Sequence, residues 1–130
     1  MNSYLCVGLG SAIGGILRYW ISNQIAERCG TAFPWGTIFV NVSGSFLVGF
    51  IGTATENEGR PASSLVTREF VMIGLFGGYT TFSAFSLQTL NLAREGQWTR
   101  AGANAFLSFG VCLGAVWMGH LLARCLSRWF

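Results

Sequence analysis

Charged side chains are scarce in this sequence of 130 residues, at 10% against about 25% in ordinary soluble domains. There are eight Arg and five Glu, and neither Lys nor Asp occurs. So few charges cannot give a domain of this size a water-facing surface. The net charge of +3 comes from scattered Arg and not from a basic face. The composition therefore excludes a soluble globular enzyme, a disordered tail and a nucleic-acid binder.

Catalytic and metal-binding patterns are also missing. The four Cys contain no C-x-x-C pair, and the single His, His120, has no second ligand at metal spacing. No phosphate-binding loop of the G-x-x-x-x-G-K-[ST] type occurs. We expect free thiols, an interfacial His120 and a protein that is not an enzyme.

Long apolar runs are what the sequence does contain, and 52% of its residues are apolar. Four runs reach the length of about 20 residues that crosses a bilayer, and short polar breaks separate them. Only Arg18 interrupts the first run. We therefore predict an all-α integral membrane protein with a single four-helix domain over residues 1–130, its spans at about 4–26, 33–55, 67–92 and 102–124.

Small residues recur four positions apart, which places each pair on one helix face where backbones can approach. The pairs are Gly10 with Gly14, Ser11 with Gly15, Ser45 with Gly49, and Gly110 with Gly114. We expect close helix packing at these faces. Four helices of this length enclose no wide lumen, so any conducted species is small or is held between two subunits.

Arginine residues in the loops indicate how a membrane protein is oriented. One side holds Arg60, Arg68, Arg124 and Arg128, and the other holds Arg28, Arg94 and Arg100, with Arg18 set aside inside a span. The bias of four against three is too small to fix one orientation. Two interpretations therefore stay open. The protein inserts in both orientations and forms an antiparallel two-fold dimer, or it inserts in a single orientation.

Two polar groups inside the spans need an explanation. Arg18 is the only charge clearly within a span, where it either has a structural role or contacts a passing anion. Asn41 lies between Thr37 and Ser45, one helical turn from each, so its amide either bonds another helix or donates to an anion. No Glu lies mid-span, which argues against a proton-coupled exporter.

The third run is a poor continuous helix. Gly77-Gly78 followed by Thr80-Thr81 combines low helix propensity with hydroxyl groups that bond backbone, and this predicts a break at mid-membrane depth. Such backbone is tolerated where it is buried in protein or lines an ion site. In the fourth run Asn104, Ser108 and Cys112 recur every four residues, as a weakly polar track or as a packing face.

Phe82 and Phe85 share one helix face after this break. Two Phe on a membrane helix are usually in the core or in contact with lipid. Their ring edges nevertheless carry partial positive charge, so they are also able to coordinate a small anion without holding it too tightly.

Three segments together resemble the Fluc (CrcB) family of fluoride channels. They are Gly14-Gly15-Ile16-Leu17-Arg18-Tyr19, Gly36-Thr37-Ile38-Phe39-Val40-Asn41, and Gly74 to Ser86 with Gly-Gly-Tyr-Thr-Thr-Phe-Ser-Ala-Phe-Ser at its centre. The likeness covers all four spans in order, and the third-span motif is highly specific.

The resemblance implies an antiparallel, dual-topology homodimer in the bacterial inner membrane, with two pores at the dimer interface that passively export fluoride from the cytoplasm and so protect against its toxicity. The implied fluoride pathway contains Asn41, Phe82, Phe85, Thr37, Ser83, Ser86, Ser108 and the first-span Arg18. The backbone carbonyls of Gly77 and Thr80 from both subunits would hold a central structural Na⁺ that is not transported.

Three positions depart from what the resemblance implies. Gln88 stands where relatives often have Glu, and Cys112 and Val116 stand where Ser and Thr are expected in the fourth-span polar track. Two other classes compete with a channel. They are a four-helix multidrug exporter, which the missing mid-span carboxylate opposes, and a noncatalytic helix-packing or regulatory membrane subunit, which the small-residue faces favour.

Overall fold

The computed structural model describes residues 2–56 and 66–127, which form helices joined by short turns and contain no strand. Four helical stretches are long and apolar enough to cross a membrane: Ser3–Cys29, Trp35–Thr55, Arg68–Arg94 and Trp98–Leu126. An all-α protein with four helices able to span a membrane is thereby confirmed. Arg60 and Arg128, which enter the charge balance predicted above, lie outside the described residues.

The first two spans are continuous α-helices, whereas the last two are assembled from shorter pieces. The first is α1 (Ser3–Cys29), which ends at Gly30 with a positive φ of 80°, and the second is α2 (Trp35–Glu56). The third consists of a π-helical segment (Val66–Leu75), α3 (Phe76–Tyr79) and α4 (Phe82–Arg94). The fourth consists of α5 (Trp98–Phe106), a π-helical segment (Leu107–Val111) and α6 (Cys112–Leu126).

Successive spans run in alternate directions. The α1–α2 loop and the turn between α4 and α5 meet at one end of the bundle, where residues of both line the same pocket. Arg28, Arg94 and Arg100 lie at this end, as the loop assignment predicts. Arg68 and Arg124 lie at the opposite ends of their spans. The described arginines are therefore divided between the two ends.

Glycines allow α1 to lie directly on the third span. A Cβ atom at Gly10 would come within 2.9 Å of the Leu75 backbone nitrogen, and one at Gly14 within 2.8 Å of the Tyr79 nitrogen. Real Cβ atoms do not approach backbone this closely, so only glycine fits at either position. The small-residue face predicted at Gly10 and Gly14 is a helix-packing face.

A second close approach joins α2 to α6, which make the most extensive helix contact in the bundle. A Cβ at Gly119 would lie 2.8 Å from the Phe50 nitrogen, and one at Gly49 would lie 2.9 Å from the Val116 carbonyl carbon. The prediction for Gly110 and Gly114 is wrong within the described chain. Gly114 has no neighbour within 4 Å of a Cβ position, and Gly110 meets only a phenyl ring one turn earlier in its own span.

The core is small and lies around α2. Val40, Phe76 and Tyr79 form its buried cluster, and the Tyr79 hydroxyl is 2.9 Å from the Ser43 hydroxyl. Many large apolar side chains point outward instead, among them Ile16 and Trp20 on α1. Such outward apolar faces suit contact with lipid or with another copy of the chain.

Candidate functional site

Thr80 and Thr81 separate α3 from α4, and we call these two residues the α3–α4 junction. Both have extended backbone angles, with φ −83° and ψ 154° at Thr80 and φ −150° and ψ 116° at Thr81. The Thr80 N–H and hydroxyl both donate to the Phe76 carbonyl, at 3.0 and 2.9 Å. The Thr81 hydroxyl caps α4 by accepting from the Ala84 N–H at 3.2 Å. The two threonines thus end one helix and begin the next.

Asn41 on α2 binds this junction through both ends of its amide. Its Nδ2 donates to the Thr81 carbonyl at 3.0 Å, and its Oδ1 accepts the Thr81 N–H at 2.7 Å. The side chain is only 9% exposed. Because a primary amide has two N–H groups, one Nδ2 hydrogen is left, and none of the described residues accepts it. The two bonds to Thr81 fix the direction in which that hydrogen points.

The same pairing removes a helical bond from Gly77. In a continuous α-helix the Thr81 N–H would donate to the Gly77 carbonyl four residues earlier. It donates to Asn41 instead, so the Gly77 carbonyl loses its helical donor. A Cβ atom at Gly77 would meet nothing within 4 Å. Gly77 therefore lies on an open side of the chain.

A cavity of about 420 Å³, which we call the central groove, opens beside the junction. Its walls come from α2, the junction, α4 and the fourth span. They are formed by Asn41, Ser45, Val48, Thr80, Thr81, Phe82, Phe85, Ser108, Phe109, Cys112, Leu113 and Val116. None of these side chains carries a formal charge, so the groove offers amide, hydroxyl, thiol and aromatic groups only.

Phe82 and Phe85 lie side by side at the start of α4. Their ring centroids are 5.2 Å apart and the ring planes meet at 58°. Phe82 is 70% exposed although it lines the groove. Both residues line the groove, and the edges of their rings carry partial positive charge.

A chain of hydrogen bonds links the fourth span to the backbone carbonyl of Phe85 on α4. The Ser108 hydroxyl donates to Asn104 Oδ1 at 3.3 Å, and Asn104 Nδ2 donates to the Thr89 hydroxyl at 2.8 Å. Thr89 in turn donates to the Phe85 carbonyl at 2.8 Å. Asn104 is completely buried. Asn104 and Ser108 therefore tie the fourth span to α4, while Cys112 and Val116 continue along the groove wall.

A second cavity, which we call the end pocket, also has a volume of about 420 Å³ and lies where the two short loops meet. Thr37 lines it, while Asn41, one turn further along α2, lines the central groove. Gln88 is also in its wall. The two cavities thus lie next to each other along α2, with Thr37 on one side and Asn41 on the other.

Of the residues singled out from the sequence, the structure brings Asn41, Phe82, Phe85, Ser108 and Thr80 together at the central groove and places Thr37 in the end pocket. The remaining three pathway residues line neither cavity.

Those three residues are Ser83, Ser86 and Arg18. Ser83 and Ser86 are both exposed. The Ser83 hydroxyl lies 3.2 Å from the Thr81 hydroxyl, and the Ser86 hydroxyl donates to the Phe82 carbonyl at 2.9 Å. Arg18 is partly buried, and its Nε has no hydrogen-bond partner among the described residues.

Sequence reasoning missed two polar groups that organise the site. Thr81 was noted only as part of a helix-breaking pair, although its backbone is the partner of Asn41. Thr89 was not considered, although it joins Asn104 to α4. The one available signal for Thr89 is a hydroxyl in an apolar run, one turn after Phe85.

His120 and the cysteines lie apart from this site, except for Cys112. His120 Nδ1 is 2.8 Å from the Thr53 hydroxyl, a contact that joins α6 to α2. All four Cys are free thiols, as predicted. Among the described residues no group of three or more His, Cys, Asp or Glu side chains is arranged to hold a metal ion.

Comparisons with known proteins agree on one family. The family model described as "CrcB-like protein, Camphor Resistance (CrcB)" matches residues 5–120. The chain is 54% identical to the "Fluoride-specific ion channel FluC" of Methylocella silvestris over 125 residues, which cover 96% of this chain and 95% of that protein. It is 52% identical to the protein of the same name from Opitutus terrae over 123 residues, covering 95% and 93% of the two chains. A third protein of that name, from Paramagnetospirillum magneticum, is 50% identical over 128 residues, covering 98% and 100%.

Replacing Asn41 tests whether its amide holds the junction. Asn41→Ala leaves the Thr81 N–H and carbonyl without their partners, and each unsatisfied buried backbone group costs about 1–3 kcal/mol. We expect the thermal unfolding midpoint of the purified protein in detergent to fall by about 5 °C or more. Ser45→Ala is the matched control, because it removes a hydroxyl from the same groove but no bond to the junction. Equal midpoints for the two variants would show that Asn41 does not stabilise the junction.

Proposed function

The chain belongs to the CrcB family of multi-pass bacterial membrane proteins, whose named relatives are fluoride-specific ion channels and not enzymes, and from that premise we propose that it is a fluoride-selective channel of the bacterial inner membrane. The single observation that carries the proposal is the central groove, where Asn41, whose amide is fixed by its bonds to Thr81, lines one cavity with Phe82 and Phe85.

The groups in the groove suit a small anion. The unclaimed Nδ2 hydrogen of Asn41 is a strong donor whose direction is already set by the bonds to Thr81. The ring edges of Phe82 and Phe85 add weak positive potential, which attracts an anion without trapping it. Ser108 supplies a hydroxyl whose hydrogen turns from Asn104 toward the ion, at the loss of a long 3.3 Å bond.

Selectivity for fluoride follows from the size and the hydration of the ion. A dry path must replace the water around fluoride with amide and hydroxyl donors, because an ion that gives up its water without new partners is strongly destabilised. Thr37 in the end pocket and Asn41 in the groove provide such donors in succession along α2. A narrow bore would disfavour the larger chloride ion.

We further propose that the channel is an antiparallel, dual-topology homodimer with two pores along its interface. Gly77 lies on an open side of the chain and Phe82 is 70% exposed, so the groove is not closed within one subunit. A second copy would supply the missing wall, and the two-fold axis would repeat the groove. The near-even division of arginines between the two ends is compatible with insertion in both orientations.

The α3–α4 junction, which we place at mid-membrane depth, fits a structural Na⁺. The Gly77 carbonyl lacks its helical donor, Gly77 lies on an open side of the chain, and carbonyl oxygens are able to replace the hydration shell of an alkali cation. Gly77 and Thr80 of one chain offer two carbonyls, and two copies would offer four. A bound Na⁺ would supply positive charge that holds the two junctions together without being transported.

Passive outward flow is sufficient for protection. Neutral HF enters a cell from an acidic medium and dissociates inside. An inside-negative membrane potential then drives F⁻ outward by about 2.3 kcal/mol per 100 mV. No energy-coupling group is needed, and the described Glu residues, Glu27, Glu56, Glu69 and Glu95, all lie at or near helix ends.

Fluoride efflux from liposomes tests the channel directly. Purified protein is reconstituted with internal KF or KCl, and efflux is started with a K⁺ ionophore that balances charge. We expect rapid loss of F⁻, read with a fluoride electrode, and little loss of Cl⁻ from matched vesicles. No F⁻ flux from vesicles that contain folded protein would overturn the proposal. A proton-coupled exporter or a regulatory subunit predicts that result.

The aromatic pair is tested by Phe82→Ile and Phe85→Ile, which keep apolar bulk but remove the ring edges. Loss of an aromatic contact worth about 1 kcal/mol lowers fluoride flux about fivefold. Phe106→Ile is the matched control, because Phe106 is about as exposed as Phe82 but lines neither cavity. Size-exclusion profiles check that the dimer persists. Unchanged flux in both groove variants would show that the rings only pack.

The Na⁺ site is tested by exchanging the cation during reconstitution. Protein purified and assembled in N-methyl-D-glucamine salts, with residual sodium excluded, is expected to lose most of its fluoride flux and to regain it when Na⁺ is added. Loss is expected because four carbonyls facing one another without a cation repel. Equal flux in Na⁺ and in the large organic cation would contradict the site at Gly77 and Thr80.

A further inference from the structure

The wall of the end pocket contains two charged residues, one directly after α4 and one in the first turn of α5. Glu95 lies directly after α4 and Arg100 lies in the first turn of α5, and both line the pocket. The rest of its polar lining is neutral, including Gln88 on α4. An ion in this pocket therefore meets one carboxylate and one guanidinium in its wall.

Gln97 lies between these two charged side chains and forms a hydrogen bond with each of them. Its Nε2 donates to Glu95 Oε2 at 2.8 Å, and its Oε1 accepts from Arg100 Nη1 at 2.8 Å. Across residues 2–56 and 66–127 no carboxylate pairs directly with Arg100. A guanidinium has five N–H donors and this bond uses one, so four are left on a side chain that Gln97 orients. Arg100 is exposed, so these donors are open to ions that enter from water.

The end pocket lies next to the central groove along α2. Thr37 lines the pocket, and Asn41, one helical turn further along α2, lines the groove. An anion attracted to Arg100 is thereby concentrated beside the proposed pathway.

We propose that Arg100 is an anion-capture residue that raises the concentration of F⁻ in the end pocket, with Glu95 opposing it and Gln97 setting its position. The proposal rests on the proposed fluoride channel and adds to it the residue that sets the rate of ion entry. Arg100 acts through its charge and not through dehydration of the ion, so the effect is electrostatic and is screened by salt.

The expected size follows from Coulomb attraction. A unit charge about 10 Å from an ion in water changes its local concentration roughly twofold. The screening length is about 30 Å at 0.01 M salt and about 3 Å at 1 M salt. The effect of Arg100 on conductance is therefore about twofold at most in dilute fluoride and disappears in concentrated fluoride.

Single-channel recording in planar bilayers measures this entry step. Conductance is recorded for the full-length protein and its variants in about 0.03 M and in about 1 M NaF, which differ several-fold in screening length. Arg100→Gln is expected to lower conductance about twofold in dilute NaF and to leave it unchanged in concentrated NaF. Glu95→Gln is expected to raise conductance in dilute NaF, and Arg100→Lys, which keeps the charge, is expected to match the unmodified protein.

Arg94→Gln is the matched control, since Arg94 is an exposed arginine in the last turn of α4 that does not line the end pocket. Its conductance in dilute NaF is expected to fall less than that of Arg100→Gln, because Arg94 is not in the wall of the pocket and its charge lies further from the ion. Equal conductance of Arg100→Gln and Arg94→Gln in dilute NaF would overturn the proposal, as would an Arg100→Gln deficit that persists at 1 M. Failure of the channel itself is distinguishable, because the unmodified protein would then carry no fluoride current in either solution.

Discussion

Two hydrogen bonds between the Asn41 amide and the Thr81 backbone are the interaction on which the rest of the site depends. Extended backbone inside a membrane-spanning segment exposes polar groups that lipid cannot satisfy. Asn41 satisfies both groups of Thr81 at once, at 2.7 and 3.0 Å. Because α2 also packs closely on α6 through Gly49 and Gly119, the amide is presented from the most enclosed helix of the bundle.

This one pairing has three consequences for function. It fixes the direction of the remaining Asn41 hydrogen, it withdraws the helical donor from the Gly77 carbonyl, and it sets where α4 begins, which places Phe82 and Phe85 beside Asn41. An amide donor and a carbonyl without its helical donor therefore come from the same two bonds. In the proposed dimer they would serve the proposed fluoride path and the proposed Na⁺ site respectively.

Composition and local pattern were sufficient for the fold class, because scarce charge and long apolar runs leave few alternatives to membrane-spanning helices. The face of Gly10 and Gly14 was also predictable, since small residues at that spacing allow backbones to touch. Gly110 and Gly114 share that spacing but pack against no other described segment, because spacing does not reveal which face meets a neighbour.

The site was predictable in its residue types but not in its pairings. Asn41 and Thr81 are 40 residues apart, and Thr89 and Asn104 are 15 apart, so no local rule joins them. The position of Arg100 in the wall of the end pocket likewise depends on a turn that brings α5 back against α4. Tertiary contacts of this kind are set by how the spans pack, which one sequence does not specify.

The central claim is that the groove beside Asn41 conducts fluoride in preference to other anions. The reversal potential of the current, measured in a planar bilayer with NaF at different concentrations on the two sides and NaCl added to one side, tests it most directly. The account predicts a reversal potential that follows the fluoride gradient and does not move when the chloride concentration is changed. A reversal potential that shifts with chloride would contradict it.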